Sequence, residues 1–167
     1  GPQGIICASD FERCIQDHRA ALFPTTGSQD WVIQSVDRTH QRKFVRLEAT
    51  WEGLRTLGAS AVVTLDREGN ILFIDGGRRP ILVERSERTI GIAEAKKRAM
   101  EALHNTHGGA IPQDTDAPVE KIVLVDGYVG TVVYEVKVGL PTEMGVAFVY
   151  VNAETGDVSW IRNPVQH

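Results

Sequence analysis

From Phe44 to Ile74 the chain reads FVRLEATWEGLRTLGASAVVTLDREGNILFI, and its apolar residues recur at every second position. Val45, Leu47, Ala49 and Trp51 fall on one side of that period; Arg46, Glu48 and Thr50 fall on the other. Successive strand side chains point to opposite faces, so this alternation specifies a strand with one buried face. Gly53 and Gly58 bracket the return, and Ala61, Val63 and Leu65 then alternate again up to Asp66-Arg67-Glu68-Gly69. The Gly of that turn can take the positive φ that closes a short hairpin, and Ile71 to Ile74 come back. The stretch therefore predicts strand, turn, strand, tight hairpin, strand.

Around this meander the chain predicts further elements. Ser9 or Asp10 caps a helix over Asp10 to Leu22, with Phe11, Cys14, Ile15, Ala21 and Leu22 as an imperfect apolar stripe and Pro24 as its stop. Trp31 to Val36 reads as a strand and Asp37 to Gln41 as a turn. Gly76-Gly77-Arg78-Arg79-Pro80 breaks the pattern and could start a linker; paired arginines can mark a processing site, and here they read as a solvated loop. Thr89 to Leu103 is the clearest helix, capped at Thr89, with Ile92, Ala95, Ala99 and Leu103 recurring at helical spacing. Lys96, Lys97 and Arg98 then fall on the outer face as a solvated run, with Glu94 and Glu101 as partners for Arg98 and Lys97. Strands follow over Val119 to Val125, Val129 to Val138, Val146 to Val151 and Asp157 to Ile161, the first pair joined at Asp126-Gly127. The last hairpin, FVYVNAETGDVSWI, echoes VVTLDREGNILFI of the first half. The expected class is α+β.

Charge and composition exclude several functions. The 167 residues are 42% hydrophobic and 24% charged, with a net charge of −4, which marks a globular chain of one ordinary domain or two small ones. Neither half is basic, so a surface that tracks nucleic-acid phosphates is not expected. No apolar run is long enough to span a bilayer. Gly1-Pro2 resembles the scar of a removed tag, and a trimmed chain would lack any signal peptide. Cys7 and Cys14 are the two thiols, seven positions apart. On one continuous helix their Cα atoms would be too distant for a bridge; with Cys7 in the lead-in it could fold back to Cys14, and both arrangements stay open.

No catalytic frame is present. The five histidines, His18, His40, His104, His107 and His167, do not form the His-Glu-x-x-His of a zinc protease helix. His104-Asn105-Thr106-His107 sets two imidazoles at a helix end without a nearby Glu or Cys and reads as a surface pair. Asp114 and Asp116 are too few ligands for calcium and read as a solvated loop. No nucleophile elbow, Walker loop or Gly-x-Gly-x-x-Gly occurs. The chain is thus expected not to be an enzyme, and to hold no metal and no cofactor.

The meander resembles the core of the propeptide domain shared by thermolysin-type and fungalysin-type zinc proteases, the FTP domain. Val45, Arg46, Thr50, Trp51, Gly53, Gly58, Val63, Asp66 and Gly69 match its pattern, while Glu48 and Ala49 stand where that family tends to have Gln, and Thr56 where it tends to have Val. The second half resembles a PepSY domain, through the helix with Ala95 and Ala99, the strand with Tyr134-Glu135-Val136, and the hairpin Val151-Asn152-Ala153-Glu154-Thr155-Gly156-Asp157-Val158. Asn152, where the family has Asp, keeps a side chain able to cap its own turn.

The two resemblances, in that order from Trp31 to His167, imply an FTP-like domain over 1–84 and a PepSY-like domain over 85–167, each a helix packed on an antiparallel sheet of cystatin-like form. They imply the prosegment of a secreted zinc metalloendopeptidase, acting as intramolecular chaperone and inhibitor, whose partner is the cognate catalytic domain. Localisation would be secreted or periplasmic. Pro164 cannot donate to a sheet ladder, so the last strand should end before it. By the same analogy Asn163, Pro164, Val165, Gln166 and His167 form an inhibitory tail in the protease cleft, with His167 or the new carboxylate near the zinc. The other reading of the tail is a plain chain end. The alternative function is a free-standing secreted or periplasmic PepSY-type binding module or protease inhibitor, or an adaptor within a larger extracellular protein.

Overall fold

The structure is a computed structural model and describes residues 5–7, 9–84, 87–106, 112–140 and 145–163. In chain order its elements are α1 (Phe11–Asp17), α2 (Arg19–Leu22), β1 (Gln29–Arg38), β2 (Arg42–Trp51), β3 (Leu54–Asp66), β4 (Ile71–Gly76), β5 (Leu82–Val83), α3 (Ile92–Thr106), β6 (Gln113–Asp114), β7 (Glu120–Asp126), β8 (Val129–Gly139), β9 (Val146–Asn152) and β10 (Val158–Arg162). The class is α+β. The chain packs as two units, the first made of Gly1–Leu82 with Val123–Gly130, the second of Val83–Ile122 with Thr131–His167.

In the first unit β1, β2, β3 and β4 pair antiparallel in sequence order. The alternation read from the sequence sets the inner face: Val45, Leu47, Ala49, Ala61, Val63 and Leu65 are at most 1% exposed. Phe11 and Ile15 of α1 are buried with them, and Trp31 stacks on Phe23 with ring centres 4.7 Å apart. Asp10 caps α1, its carboxylate accepting the Arg13 amide at 3.1 Å. The expected helix through Leu22 is broken at His18, whose amide donates to the carbonyls of Cys14 and Gln16. Cys7 and Cys14 are bridged, Cα to Cα 5.6 Å. The bridge forms because the helix starts only at Phe11, which leaves Cys7 in the lead-in, where its amide donates to the Gly69 carbonyl at 2.9 Å.

Glu52 and Gly53 both have positive φ, 47° and 77°, and make the two-residue turn between β2 and β3. Gly58 does not bracket that turn; it lies inside β3. There β3 leaves its register with β2, and Thr56 and Leu57 pair in parallel with Val123 and Leu124 of β7. A Cβ on Gly58, whose φ is 101°, would come 2.2 Å from the Val125 carbonyl oxygen. The buried Thr56 hydroxyl donates to the Ala49 carbonyl at 2.6 Å across this irregularity. At the next turn the Asp66 carboxylate accepts the Glu68 and Asn70 amides and the Asn70 side chain, at 2.8–3.0 Å.

In the second unit α3 lies on one face of β8, β9 and β10. Ala95, Ala99 and Leu103 are fully buried against Tyr134, Val136, Val138, Val149 and Val151. The helix begins at Ile92 rather than at Thr89, and Ile92 is 52% exposed. The apolar anchor at this end is Ile90: its amide donates to the Ala153 carbonyl at 2.7 Å, and its carbonyl accepts the Tyr134 hydroxyl at 2.9 Å. The turn between β9 and β10 is closed by Asn152, whose side-chain oxygen accepts the Glu154 and Thr155 amides at 2.9 and 3.0 Å. Asn152 and Asp66 thus close their turns by the same self-capping chemistry.

Candidate functional site

The carbons of β8, β9 and β10 that face away from α3 form cross-strand rows. Glu135 of β8 lies opposite Tyr150 of β9, and Tyr150 lies opposite Trp160 of β10. Lys137, Phe148 and Arg162 make the next row in the same way. Side chains directly opposite in antiparallel strands stand close enough to interact, so the register alone brings these six together.

Glu135 and Arg162 meet at the Tyr150 hydroxyl oxygen. The Tyr150 hydroxyl donates to the Glu135 carboxylate at 2.9 Å and accepts from Arg162 Nε at 3.2 Å. Trp160 stacks on the Tyr150 ring at 5.3 Å and 18°. The Arg162 guanidinium lies 4.7 Å from the centre of the Phe148 ring. Tyr150 is fully buried beneath these partners, and burial pushes its hydroxyl above the usual phenol range, opposed by the Arg162 hydrogen bond and reinforced by Glu135. The proton therefore stays on the oxygen at neutral pH, which lets it donate to one charged neighbour while accepting from the other.

This cluster fixes the last strand up to its end. The strand β10 closes at Arg162, two residues before Pro164, as the missing proline donor requires. Asn163 is half-buried at that end. Pro164, Val165, Gln166 and His167 lie outside the described residues.

The other candidates are scattered. His18 Nδ1 bonds the Cys14 carbonyl at 2.8 Å, so it serves the end of α1. His40 sits exposed in the turn between β1 and β2, and His104 exposed near the end of α3. His107 lies outside the described residues. Asp114 pairs with Lys96 at 3.2 Å, and Asp116 is exposed. Among the described residues no group of three or more His, Cys, Asp or Glu side chains is placed to hold a metal.

The basic run on α3 makes the Glu94–Arg98 pair expected at helical spacing, and Lys97 is exposed as expected, but Lys96 and Arg98 are half-buried. Glu94 pairs with Arg98 at 2.9 Å, one helical turn away. That hydrogen bond holds the Glu94 carboxyl below its ordinary range and Arg98 above its own. The Arg98 guanidinium also packs on Gly156 in the turn between β9 and β10: a Cβ there would lie 3.1 Å from its central carbon. Arg98 is a strut between helix and hairpin.

The sequence reading missed the Glu135, Tyr150, Trp160 and Arg162 cluster. The signal was present as two adjacent hairpins carrying aromatic and charged residues at every second position. The shift in register between Val158 and Trp160 hid it, because one extra residue exchanges the faces of everything beyond.

Comparison with protein-family models finds no match, and no curated protein sequence matches. Among solved structures the chain is similar to the C-terminal domain of YpeB from Bacillus megaterium, at 15% identity and a TM-score of 0.44. That likeness covers 90% of this chain and 60% of the other, so the chain spans about three fifths of that relative's length. It is also similar to a candidate lipoprotein from Clostridium difficile 630, at 8% identity, 96% coverage of each chain and a TM-score of 0.30.

Proposed function

We propose that this chain is the prosegment of a secreted zinc metalloendopeptidase and acts on its partner by contact, as a folding template and an inhibitor. The observation that carries the reading is the end of β10. Tyr150, Glu135, Trp160 and Arg162 hold that strand to its last residue, so Asn163 leaves the sheet from a fixed point. A tail anchored at its root loses less freedom on entering a cleft than a loose one, and binds more tightly for the same contacts. On this reading Asn163 to His167 lie along the non-primed side of the protease cleft.

The remaining supports lie in the residues. The Val45-Arg46, Thr50-Trp51-x-Gly53 and Asp66-x-x-Gly69 pattern of the first unit resembles that of an FTP domain, and the α3, Tyr134-Glu135-Val136 and Asn152-to-Val158 pattern of the second resembles that of a PepSY domain. The two units correspond on this reading to helix-on-sheet domains of cystatin-like form. A protease with a high folding barrier gains from a surface that binds its near-native state, and the same complementarity then covers its cleft. The Cys7–Cys14 bridge supports a secreted or periplasmic setting, where disulfides persist.

The test is a refolding and inhibition assay with the zinc endopeptidase domain encoded downstream of this chain. Slow, tight inhibition and faster recovery of activity from denaturant are the expected results. A downstream coding region without any zinc-binding helix would overturn the prosegment reading in favour of a free-standing binding module.

A further inference from the structure

The first unit contains an open cleft of about 300 Å³, lined by Trp31, Ser60, Arg78, Arg79, Ile81 and Tyr128 together with several glycines. Its arginine-bearing loop is held in place. The Ile81 amide donates to the buried Gln29 side-chain oxygen at 2.8 Å, and the Leu82 amide donates to the Tyr128 carbonyl at 2.8 Å. Pro80 between them and the arginines has a fixed φ. The Arg79 guanidinium lies 5.3 Å from the centre of the Tyr128 ring.

Among the described residues neither Arg78 nor Arg79 pairs with a carboxylate. In a chain whose net charge is −4, two unpaired guanidiniums at one cleft make a local excess of positive charge. Guanidinium forks match the planar, bidentate geometry of a carboxylate. Beside them Trp31 and Ile81 give an apolar floor, 2% and 8% exposed. The volume is at the low end for small-ligand sites, room for one residue rather than a long segment.

We propose that this cleft binds the C-terminal residue of a peptide, its free carboxylate held by Arg78 and Arg79 and its apolar side chain set against Trp31, Ile81 and Tyr128. An acidic side chain would satisfy the arginines and leave the apolar floor bare; a bare phosphate would do the same. The site is in the first unit and does not depend on the prosegment reading.

The experiment titrates the isotope-labelled full chain with N-acetyl-leucine, N-acetyl-leucinamide and inorganic phosphate, following the amide signals of Gly58, Gly77 and Gly127. N-acetyl-leucine should move these signals saturably, the other two probes at least tenfold more weakly, and R78A/R79A should remove the response. Should that variant misfold, R78K/R79K keeps the charge and loses the fork, and at least tenfold weaker binding is expected. No saturable shift, equal binding of the amide or of phosphate, or undiminished binding by either double variant would overturn the assignment.

Discussion

Arg162 and Glu135 meet through a third residue, Tyr150, whose single hydroxyl oxygen takes a hydrogen bond from the arginine at 3.2 Å and gives one to the carboxylate at 2.9 Å. Three strands are thereby tied at one buried atom. Replacing Tyr150 with Phe keeps the ring that stacks on Trp160 and removes only the atom between the charges. A buried hydrogen bond to a charged group contributes about 2 kcal/mol, so Y150F should lower the unfolding free energy in urea by about that amount. The alkaline limb gives a second readout. Because the native hydroxyl titrates above the unfolded one, stability should fall as pH rises above about 10, and Y150F should lessen that fall. An unchanged urea midpoint would contradict the cluster's role.

The Cys7–Cys14 bridge closes a loop across a sequence separation of 7. On the chain-entropy account a loop of that size stabilises by about 2.5 kcal/mol. The C7S/C14S variant should lose about this much, measured by denaturant unfolding, and added reductant should bring the parent chain to the same midpoint. Equal stability with and without reductant would contradict it.

Gly58 sits against backbone rather than against a movable side chain, with positive φ and a would-be Cβ 2.2 Å from the Val125 carbonyl. G58A should cost at least about 3 kcal/mol, since strain and steric overlap act together. Gly53 has positive φ but open space around it, so G53A should cost about 1 kcal/mol. Thermal melts of the two variants separate the effects; similar losses would contradict the close approach of β3 and β7.

Acid should weaken the fold through particular carboxylates. The Asn70 side chain, its amide and neighbouring amides hold the Asp66 carboxyl below its ordinary range, and Arg98 does the same for Glu94. A carboxyl held lower in the native state adds stability wherever the unfolded one is already ionised, and loses it as falling pH passes through the native value. Stability should therefore be level above about pH 5 and decline as pH drops below about 4. Urea midpoints measured from pH 7 to pH 2 should show D66N declining less than the parent. Parallel curves for the two would contradict the turn's contribution.

Where the chain obeys a simple period, its fold was legible. Val45 to Trp51 and Ala61 to Leu65 are buried on the side their alternation assigned, and Asn152 closes its turn as its short polar side chain allows. What escaped depends on contacts between elements distant in sequence. Gly58 read as a turn residue because nothing local announces that β7 will pass beside it. The start of α3 slipped from Thr89 to Ile92 because Ile90 is held by Tyr134 and Ala153, more than forty residues away. Arg98 and its partner Glu94 were legible at helical spacing, but the packing of Arg98 on Gly156 was not, because a glycine has no side chain to signal the contact. The tail was named from its likeness to a family, and only its first residue, Asn163, stands among the described residues.

The most direct measurement of the central proposal compares inhibition of a thermolysin- or fungalysin-type zinc endopeptidase, the class of partner proposed for this chain, by the full chain and by a chain lacking Asn163 to His167. The account predicts at least tenfold weaker inhibition by the shortened chain, with an unfolding midpoint unchanged from the parent. Equal inhibition by both would contradict the cleft-binding tail, and no inhibition by either would contradict the prosegment itself.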